Sequence, residues 1–270
     1  MEKVLSQLSR LPKVSQMPSR KMQQTGQLPK AQRINQILSS AGITSRRKAD
    51  ALILGGRVKL NGRVVKQLGT RAMWGQDRIE VDGREVPGPS QRIYLMLNKP
   101  FGYLASLGDP EGRPVITDLI KDIPGRIYSV GRLDFDSLGL LLMTNDGEWA
   151  YRLMHPRYQV PRTYKVTVRG SISSEALASL KKGVLLEDGP SGPARLSLIS
   201  RGPAKTVLRM TITQGRTRQV RRMLEAVGHE VIHLIRIGFG TLELGNLKVG
   251  HYRVLESTEV AALKKLVGLK

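Results

Sequence analysis

Gly131-Arg132-Leu133-Asp134-Phe135-Asp136-Ser137-Leu138-Gly139-Leu140-Leu141-Leu142-Met143-Thr144-Asn145-Asp146-Gly147 divides into two halves of different character. Leu138 to Met143 is an apolar run too short for a buried helix and is bounded by turn residues, which predicts a core strand. Asn145-Asp146-Gly147 reads as the turn that ends it, with Gly147 free to take positive φ. The polar half then becomes a loop anchored by a buried strand, and it carries the carboxylate of Asp134. A loop of this kind can reach a substrate while the sheet fixes its position, which suits a catalytic group. The competing reading makes Asp134 or Asp136 a turn former or local cap, as most loop aspartates are.

The rest of the chain bears on that choice. Its 270 residues suffice for one large domain and one small one. Apolar residues make up 40% and aromatic ones 4%, so the core must be built from Leu, Val and Ile. Lys and Arg total 44 against 22 acidic residues, a net charge of +22. An excess of that size speaks to partners, with nucleic acid first and an anionic membrane surface second. No apolar run approaches the roughly 20 residues of a membrane span, and the basic residues lie within folded-looking segments, which favours nucleic acid. The absence of cysteine excludes disulfides, thiolate nucleophiles and Cys-ligated zinc. Of the four histidines, His229 and His233 are four apart, but Gly228, Val231 and Ile232 argue against a helix there and against a metal site.

Residues 1–32 read as a basic, disordered tail that adds non-specific attraction to phosphates. Residues 33–86 form a compact unit. Ile34, Ile37, Leu38 and Ala41 recur at helical spacing until Gly42, and Thr44 or Ser45 can cap a second helix with Ala49, Leu52 and Ile53 facing inward. Asn61-Gly62 and Asp82-Gly83 each separate two short β-type runs, a strong hairpin signal. Arg46, Arg47 and Lys48 at the second helix start, with Arg57 and Lys59 on the first hairpin, suit a phosphate-binding face. Pro87 to Gln91 reads as a linker, residues 92–256 as the main domain, and residues 257–270 as a closing helix capped by Ser257 or Thr258. Within the main domain Tyr164, Val166 and Val168 share one face of an alternating strand. Residues 216–228 read as a helix with Val220, Met223, Leu224 and Val227 inward. Arg218 and Arg222 then point away from the core, and Arg221 sits at its edge, able to reach into a cleft.

Two resemblances follow from these residues. Ala41-Gly42-Ile43-Thr44-Ser45-Arg46-Arg47-Lys48-Ala49 and Gly56-Arg57-Val58-Lys59-Leu60-Asn61-Gly62 resemble the S4 RNA-binding module, whose second helix and hairpin contact structured RNA through its backbone. Asn98-Lys99-Pro100-x-Gly102, the stretch from Gly131 to Gly147, Arg162-Thr163-Tyr164 and Gly215-Arg216-x-Arg218-Gln219-Val220-Arg221-Arg222-Met223 resemble a pseudouridine synthase of the RsuA/RluB type, closer to its large-subunit branch. The resemblance implies an α+β fold in which the S4 unit precedes a mixed, largely antiparallel sheet with flanking helices. It implies isomerisation of uridine in ribosomal RNA by a cytoplasmic enzyme, with a monomer as the default. Because the reaction makes no redox change and adds no atom, no metal or cofactor is expected. The resemblance places the nucleophilic carboxylate on Asp134, an ionic partner for it on Arg221, a ring to stack on the flipped base on Tyr164, and an apolar wall on Leu234. Arg132 is expected to hold phosphate or the catalytic loop, with Arg218 and Arg222 as further substrate contacts. The rival readings are a small-subunit synthase, a non-catalytic RNA-binding assembly protein and a DNA-binding protein. The joint presence of Asp134, Tyr164 and Arg221 argues for the enzyme, and the absence of any recognition-helix or zinc-finger pattern argues against DNA.

Overall fold

The computed structural model describes residues 31–270. The basic tail expected over 1–32 therefore falls almost wholly outside the described residues. Its last member, Gln32, belongs instead to a short strand that pairs with Ala72.

The N-terminal unit runs β1 (Gln32–Arg33), α1 (Ile34–Ser40), α2 (Arg46–Leu54), β2 (Val58–Leu60), β3 (Arg63–Val65), β4 (Arg71–Ala72), β5 (Ile79–Val81) and β6 (Arg84–Glu85). Ser45 is the cap of α2 and accepts from Lys48 N. The sheet order β3-β2-β5-β6 is antiparallel throughout. Both hairpins turn as expected, because Asn61 and Gly62, and Asp82 and Gly83, all have positive φ. Ile34, Ile37, Leu38, Ala49, Ile53, Val58 and Ile79 form its own small core.

The larger unit continues with β7 (Tyr94–Lys99), a 3₁₀ turn (Ile116–Ile120), β8 (Tyr128–Ser129), β9 (Leu138–Thr144), α3 (Gly147–Met154), β10 (Arg162–Arg169), α4 (Ser174–Lys182), β11 (Leu185–Leu186), β12 (Gly189–Pro190), β13 (Arg195–Arg201), β14 (Lys205–Ile212), α5 (Gln219–Glu225), β15 (Val231–Phe239), β16 (Leu242–Glu243), β17 (Tyr252–Val254) and α6 (Ser257–Leu266). The main sheet follows the order β13-β14-β10-β15-β9-β7-β17, with β16 on β15 and β8 on β9. Strands β7 and β9 are apolar runs because both faces are covered. Leu95, Leu97, Leu141 and Met143 join the core under α4 and α5, while Met96, Leu140 and Leu142 join Trp149, Phe239 and Leu263 on the other face. The last helix thus shares a core with α3 instead of standing apart.

Every pairing along this sheet is antiparallel except β15 with β9, which is parallel and only two residue pairs long, Ile235 with Leu138 and Arg236 with Gly139. The two halves of the sheet meet at this short junction. Gly139 has φ of +104°, and a Cβ there would stand 2.2 Å from the Arg236 carbonyl oxygen. The close approach therefore requires glycine.

Three local expectations are corrected. Gly147 is not a positive-φ turn residue but the first residue of α3, because Asp146 caps that helix by accepting from Trp149 N. Helix α5 starts at Gln219, not Arg216, because the Gln219 side chain accepts from Arg216 N and folds the preceding residues into a turn. The final helix is capped by Glu256 in a capping box with Glu259, not by Ser257 or Thr258.

Candidate active site

The sheet junction opens into a cleft of about 390 Å³, a volume suited to a small organic group. Asp134 and Arg132 enter it from the loop before β9, Tyr164 from β10, Arg218 from the turn before α5, and Leu234 and Arg236 from β15. Tyr164 and Leu234 are buried and give the cleft its apolar wall. Arg132 is exposed at the mouth. Among the described residues, the Asp134 carboxylate makes no ion pair with any cation. Its backbone carbonyl is fully engaged, accepting from Ser137 N at 3.1 Å and from Lys99 Nζ at 3.0 Å. The loop is thus held by its main chain and leaves its reactive side chain open.

Lys99, absent from the expected site residues, is the device that holds it. Its side chain is wholly buried at the end of β7, and Nζ donates to the carbonyls of Pro100 (3.1 Å), Asp134 (3.0 Å) and Ser137 (2.9 Å). With the more distant Phe135 carbonyl at 3.5 Å, three donors meet four carbonyls, which satisfies the ammonium without spending a carboxylate on it. Burial pushes the Lys99 ammonium down to about 8; Asp134 and Asp136 oppose that push and Arg236 adds to it. A lysine closing the apolar run Tyr94-Leu95-Met96-Leu97 was the sequence signal for this role.

The expected pairing of Arg221 with Asp134 does not form. Arg221 is buried and does not line the cleft; its Nη2 lies 3.1 Å from the carboxylate of Asp136 and donates to the Asp136 carbonyl at 3.2 Å, while Nη1 donates to the Val231 carbonyl at 3.1 Å. The turn closed by the Ser137 N bond to Asp134 brings Asp136 toward α5 and leaves Asp134 facing the cleft. Asp136, which the sequence offered only as a turn former or local cap, is thus the carboxylate that orients Arg221.

The two other arginines of this segment differ from each other. Arg218 is exposed, as expected, but lies outside the helix. It precedes α5 with φ of +49°, lines the cleft and pairs with Asp136 at 3.3 Å. A non-glycine residue in this left-handed region is uncommon and marks a constrained position. Arg222 is not brought to the cleft. It forks onto Asp188 at 2.8 and 3.1 Å and donates to the Thr217 carbonyl at 3.0 Å. Arg216, which had no assigned role, clamps the same turn through the carbonyls of Asp188, Gly189 and Pro190 and lines the cleft.

Two further buried arginines complete the cleft. Arg236 Nε donates to the Leu140 carbonyl at 2.7 Å, and Arg162 donates to the carbonyls of Thr213 and Val160 at 3.2 and 3.4 Å. Both guanidinium groups lie over the Phe239 ring, at 5.3 and 5.4 Å. Burial and the nearby Arg236 lower the pKa of Arg162. Period-two alternation from Leu234 could have found Arg236, since the two share a face. Of the four buried cations, Arg162 and Arg236 therefore line the cleft with Asp134, while Lys99 is tied to the Asp134 backbone and Arg221 to Asp136 outside the lining. Burying so much like charge is costly, and the arrangement suits a substrate that arrives with negative charge.

On the small unit, Arg46, Arg47, Lys48 and Lys59 are exposed and form no ion pair among the described residues. Arg57 differs, because its Nε donates to Asp82 at 2.7 Å, which also raises its pKa. The cations Arg46 to Lys48 occupy the first turn of α2, where the helix dipole disfavours positive charge. That placement gains sense from an incoming phosphate, for which the same helix end offers free N–H groups. Among the described residues no group of three His, Asp or Glu side chains is arranged to hold a metal ion, and no helix is long and apolar enough to cross a membrane.

Comparison with known proteins agrees with this geometry. The RNA pseudouridylate synthase family model matches residues 93–226, and the S4 domain model matches residues 32–72. An RNA pseudouridine synthase of Aquifex aeolicus is 47% identical, covering 88% of this chain and 96% of its own length. The ribosomal large subunit pseudouridine synthase B of Bacillus subtilis is 46% identical, covering 87% and 96%. A crystal structure of a pseudouridylate synthase superposes with a TM-score of 0.62 at 32% identity, over 86% of this chain and 99% of that one.

Proposed function

From the premise that this chain belongs to the RNA pseudouridylate synthase family and is a pseudouridine synthase with an S4 domain ahead of its catalytic domain, we propose that its substrate is a uridine of large-subunit ribosomal RNA, modified in the cytoplasm by a monomer. The reading of the subunit is supported by the similarity to the Bacillus subtilis large-subunit enzyme. The observation that carries the residue assignment is the unpaired carboxylate of Asp134, held by its backbone in a cleft that the buried Arg162 and Arg236 also line.

The reaction breaks the bond from N1 of the base to C1′ of the sugar, turns the base and joins C5 to C1′. A proton leaves C5 and one is gained at N1. Asp134 acts as the nucleophile or stabilises positive charge on the sugar. The target base leaves its helix or loop to enter the cleft, where Tyr164 stacks on it and Leu234 packs beside it. Arg221, fixed by Asp136 and by the Val231 carbonyl, keeps positive charge near the reacting carboxylate when substrate excludes water. Arg132 and Arg218 meet flanking phosphates; Arg218 is partly exposed and can exchange Asp136 for one. Residues 32–86 deliver the RNA, with Arg46, Arg47, Lys48 and Lys59 on phosphate.

The test uses ribosomal RNA transcripts carrying tritium at uridine C5, since isomerisation releases that label to water. Wild-type protein is expected to release tritium from a large-subunit transcript and not from a small-subunit one, and Asp134→Asn from neither. Release from the small-subunit transcript alone would overturn the subunit assignment. Release by Asp134→Asn at the wild-type rate would move the nucleophile elsewhere.

A further inference from the structure

The chain contains only three phenylalanines. Phe239 is buried, whereas Phe101 and Phe135 are 62% and 43% exposed. These two exposed rings come from different loops yet lie side by side, with centroids 6.0 Å apart and planes tilted by 58°. Main-chain bonds hold them together. Gly102 N donates to the Phe135 carbonyl at 3.0 Å, and the Lys99 ammonium ties the Pro100 carbonyl to those of Asp134 and Ser137. The pair is therefore presented to solvent by its backbone and is not packed there by its own burial.

Position gives the pair its meaning. Phe135 follows Asp134 directly, so their Cα atoms lie about 3.8 Å apart. Neither ring lines the cleft that Asp134 shares with Tyr164. An apolar aromatic surface thus stands just outside the cleft, beside the reacting carboxylate, in a chain of net charge +22. When a target base is flipped into the cleft, its neighbours lose a stacking partner. A ring pair at the mouth can supply a replacement, and stacking tolerates any base because every base has a π-face.

We propose that Phe101 and Phe135 form a stacking platform for a nucleobase flanking the target uridine. The proposal rests on the pseudouridine synthase reading of the cleft. It assigns the platform to affinity and to holding the flipped state, and leaves bond breaking to Asp134. Exposed Arg132, two residues before Asp134, is placed to meet the phosphate between the two nucleotides.

The experiment measures the Kd of the full chain for the large-subunit transcript across a range of salt, alongside tritium release, for wild type, Phe101→Ala, Phe135→Ala, Phe101→Leu and Phe101→Tyr. Thermal unfolding confirms that each variant folds. Each alanine variant is expected to raise Kd by roughly 5- to 100-fold with the salt slope unchanged, because stacking releases no counterions. Phe101→Tyr should bind like wild type and Phe101→Leu like the alanine variant. Unchanged Kd in both alanine variants would overturn the proposal. So would full retention by Phe101→Leu, which would show that the contact needs no aromatic face. A wild type that releases no tritium from any transcript, yet binds RNA in a phenylalanine-dependent way, would support the platform and overturn the enzymatic reading beneath it.

Discussion

Two regions of this molecule carry dense positive charge, and they hold it in opposite ways. On the S4 unit Arg46, Arg47, Lys48 and Lys59 stand in solvent without ion-pair partners among the described residues. Around the cleft Lys99, Arg162, Arg221 and Arg236 are buried and tied to backbone carbonyls. Exposed cations are screened by salt and exchange water for phosphate at little cost. Buried cations are desolvated once, during folding, and afterwards act on their surroundings with little reorganisation. The first kind of charge sets how tightly RNA is held, and the second sets the geometry and field at one carboxylate.

The sharpest way to break this contrast is at the carboxylate itself. Asp134→Asn keeps the shape of the side chain and is expected to lower turnover by about 10⁴-fold or more, with Kd for RNA within a few-fold of wild type. Tritium release and filter binding on one preparation measure both, and a parallel loss of affinity would mean that Asp134 belongs to binding. Next comes Arg221. Arg221→Ala is expected to cut turnover about 100-fold, as loss of one preorganised charge does. Asp136→Asn leaves Arg221 in place and should cost less. If Asp136→Asn proved the more damaging of the two, the carboxylate that pairs with Arg221, and not the free one, would be the reacting group.

Lys99 gives the comparison a pH signature. Its folded pKa of about 8 lies below the value of 10.5 for a free lysine. Between these pH values the unfolded chain binds more protons than the folded one at this site, so its contribution to stability rises with pH. Below about pH 8 the folded protein bears the cost of a buried ammonium. Turnover should move the other way. Above pH 8 the neutral amine has two donors for these carbonyls and no charge beneath Asp134, so the rate is expected to fall along an alkaline limb near pH 8 while stability from this group increases. Lys99→Met should abolish the limb and lower turnover about 10-fold through a looser loop. A wild-type limb that persists in Lys99→Met would assign it to another group.

The contrast also explains which parts of the molecule were legible in its sequence. Hairpins at Asn61-Gly62 and Asp82-Gly83, the alternating strand around Tyr164 and the apolar strand after Asp134 follow from local turn chemistry and periodicity, and they stand where those signals put them. The exposed cations of α2 were legible too, because Ser45 caps the helix and leaves three charges in its first turn. The buried cations were less so: the apolar runs around Lys99 and Arg236 hint at burial, but the carbonyls that hold the charges are distant in sequence. Lys99 reaches Asp134 and Ser137 from 35 and 38 residues away, and Arg236 reaches Leu140 across the one parallel junction of the main sheet. Arg221 was placed at the edge of the helix's inner face but is buried and outside the cleft lining, and which of two aspartates it would meet was decided by the turn at Ser137. Helical periodicity gave no warning that Arg218 would leave the helix with positive φ.

The smallest expected effect on chemistry, and the largest on salt dependence, belongs to the exposed region. Replacing Arg46, Arg47 and Lys48 together by alanine removes up to three phosphate contacts and should lessen the slope of log K against log salt by about 2 to 3. Kd at moderate salt rises accordingly, while turnover at saturating RNA falls far less than in any cleft variant. Arg57→Ala is expected to do less than Arg47→Ala, because Asp82 already holds the Arg57 guanidinium. Equilibrium binding at several salt concentrations separates these cases. If the triple variant left the slope unchanged, the phosphates would be met elsewhere, and the division of labour between exposed and buried charge would have to be redrawn around Arg132 and Arg218 at the mouth of the cleft. If instead turnover at saturating RNA fell as far as in Arg221→Ala, the S4 unit would be placing the target base as well as holding its strand, and the two kinds of charge would act on the same step.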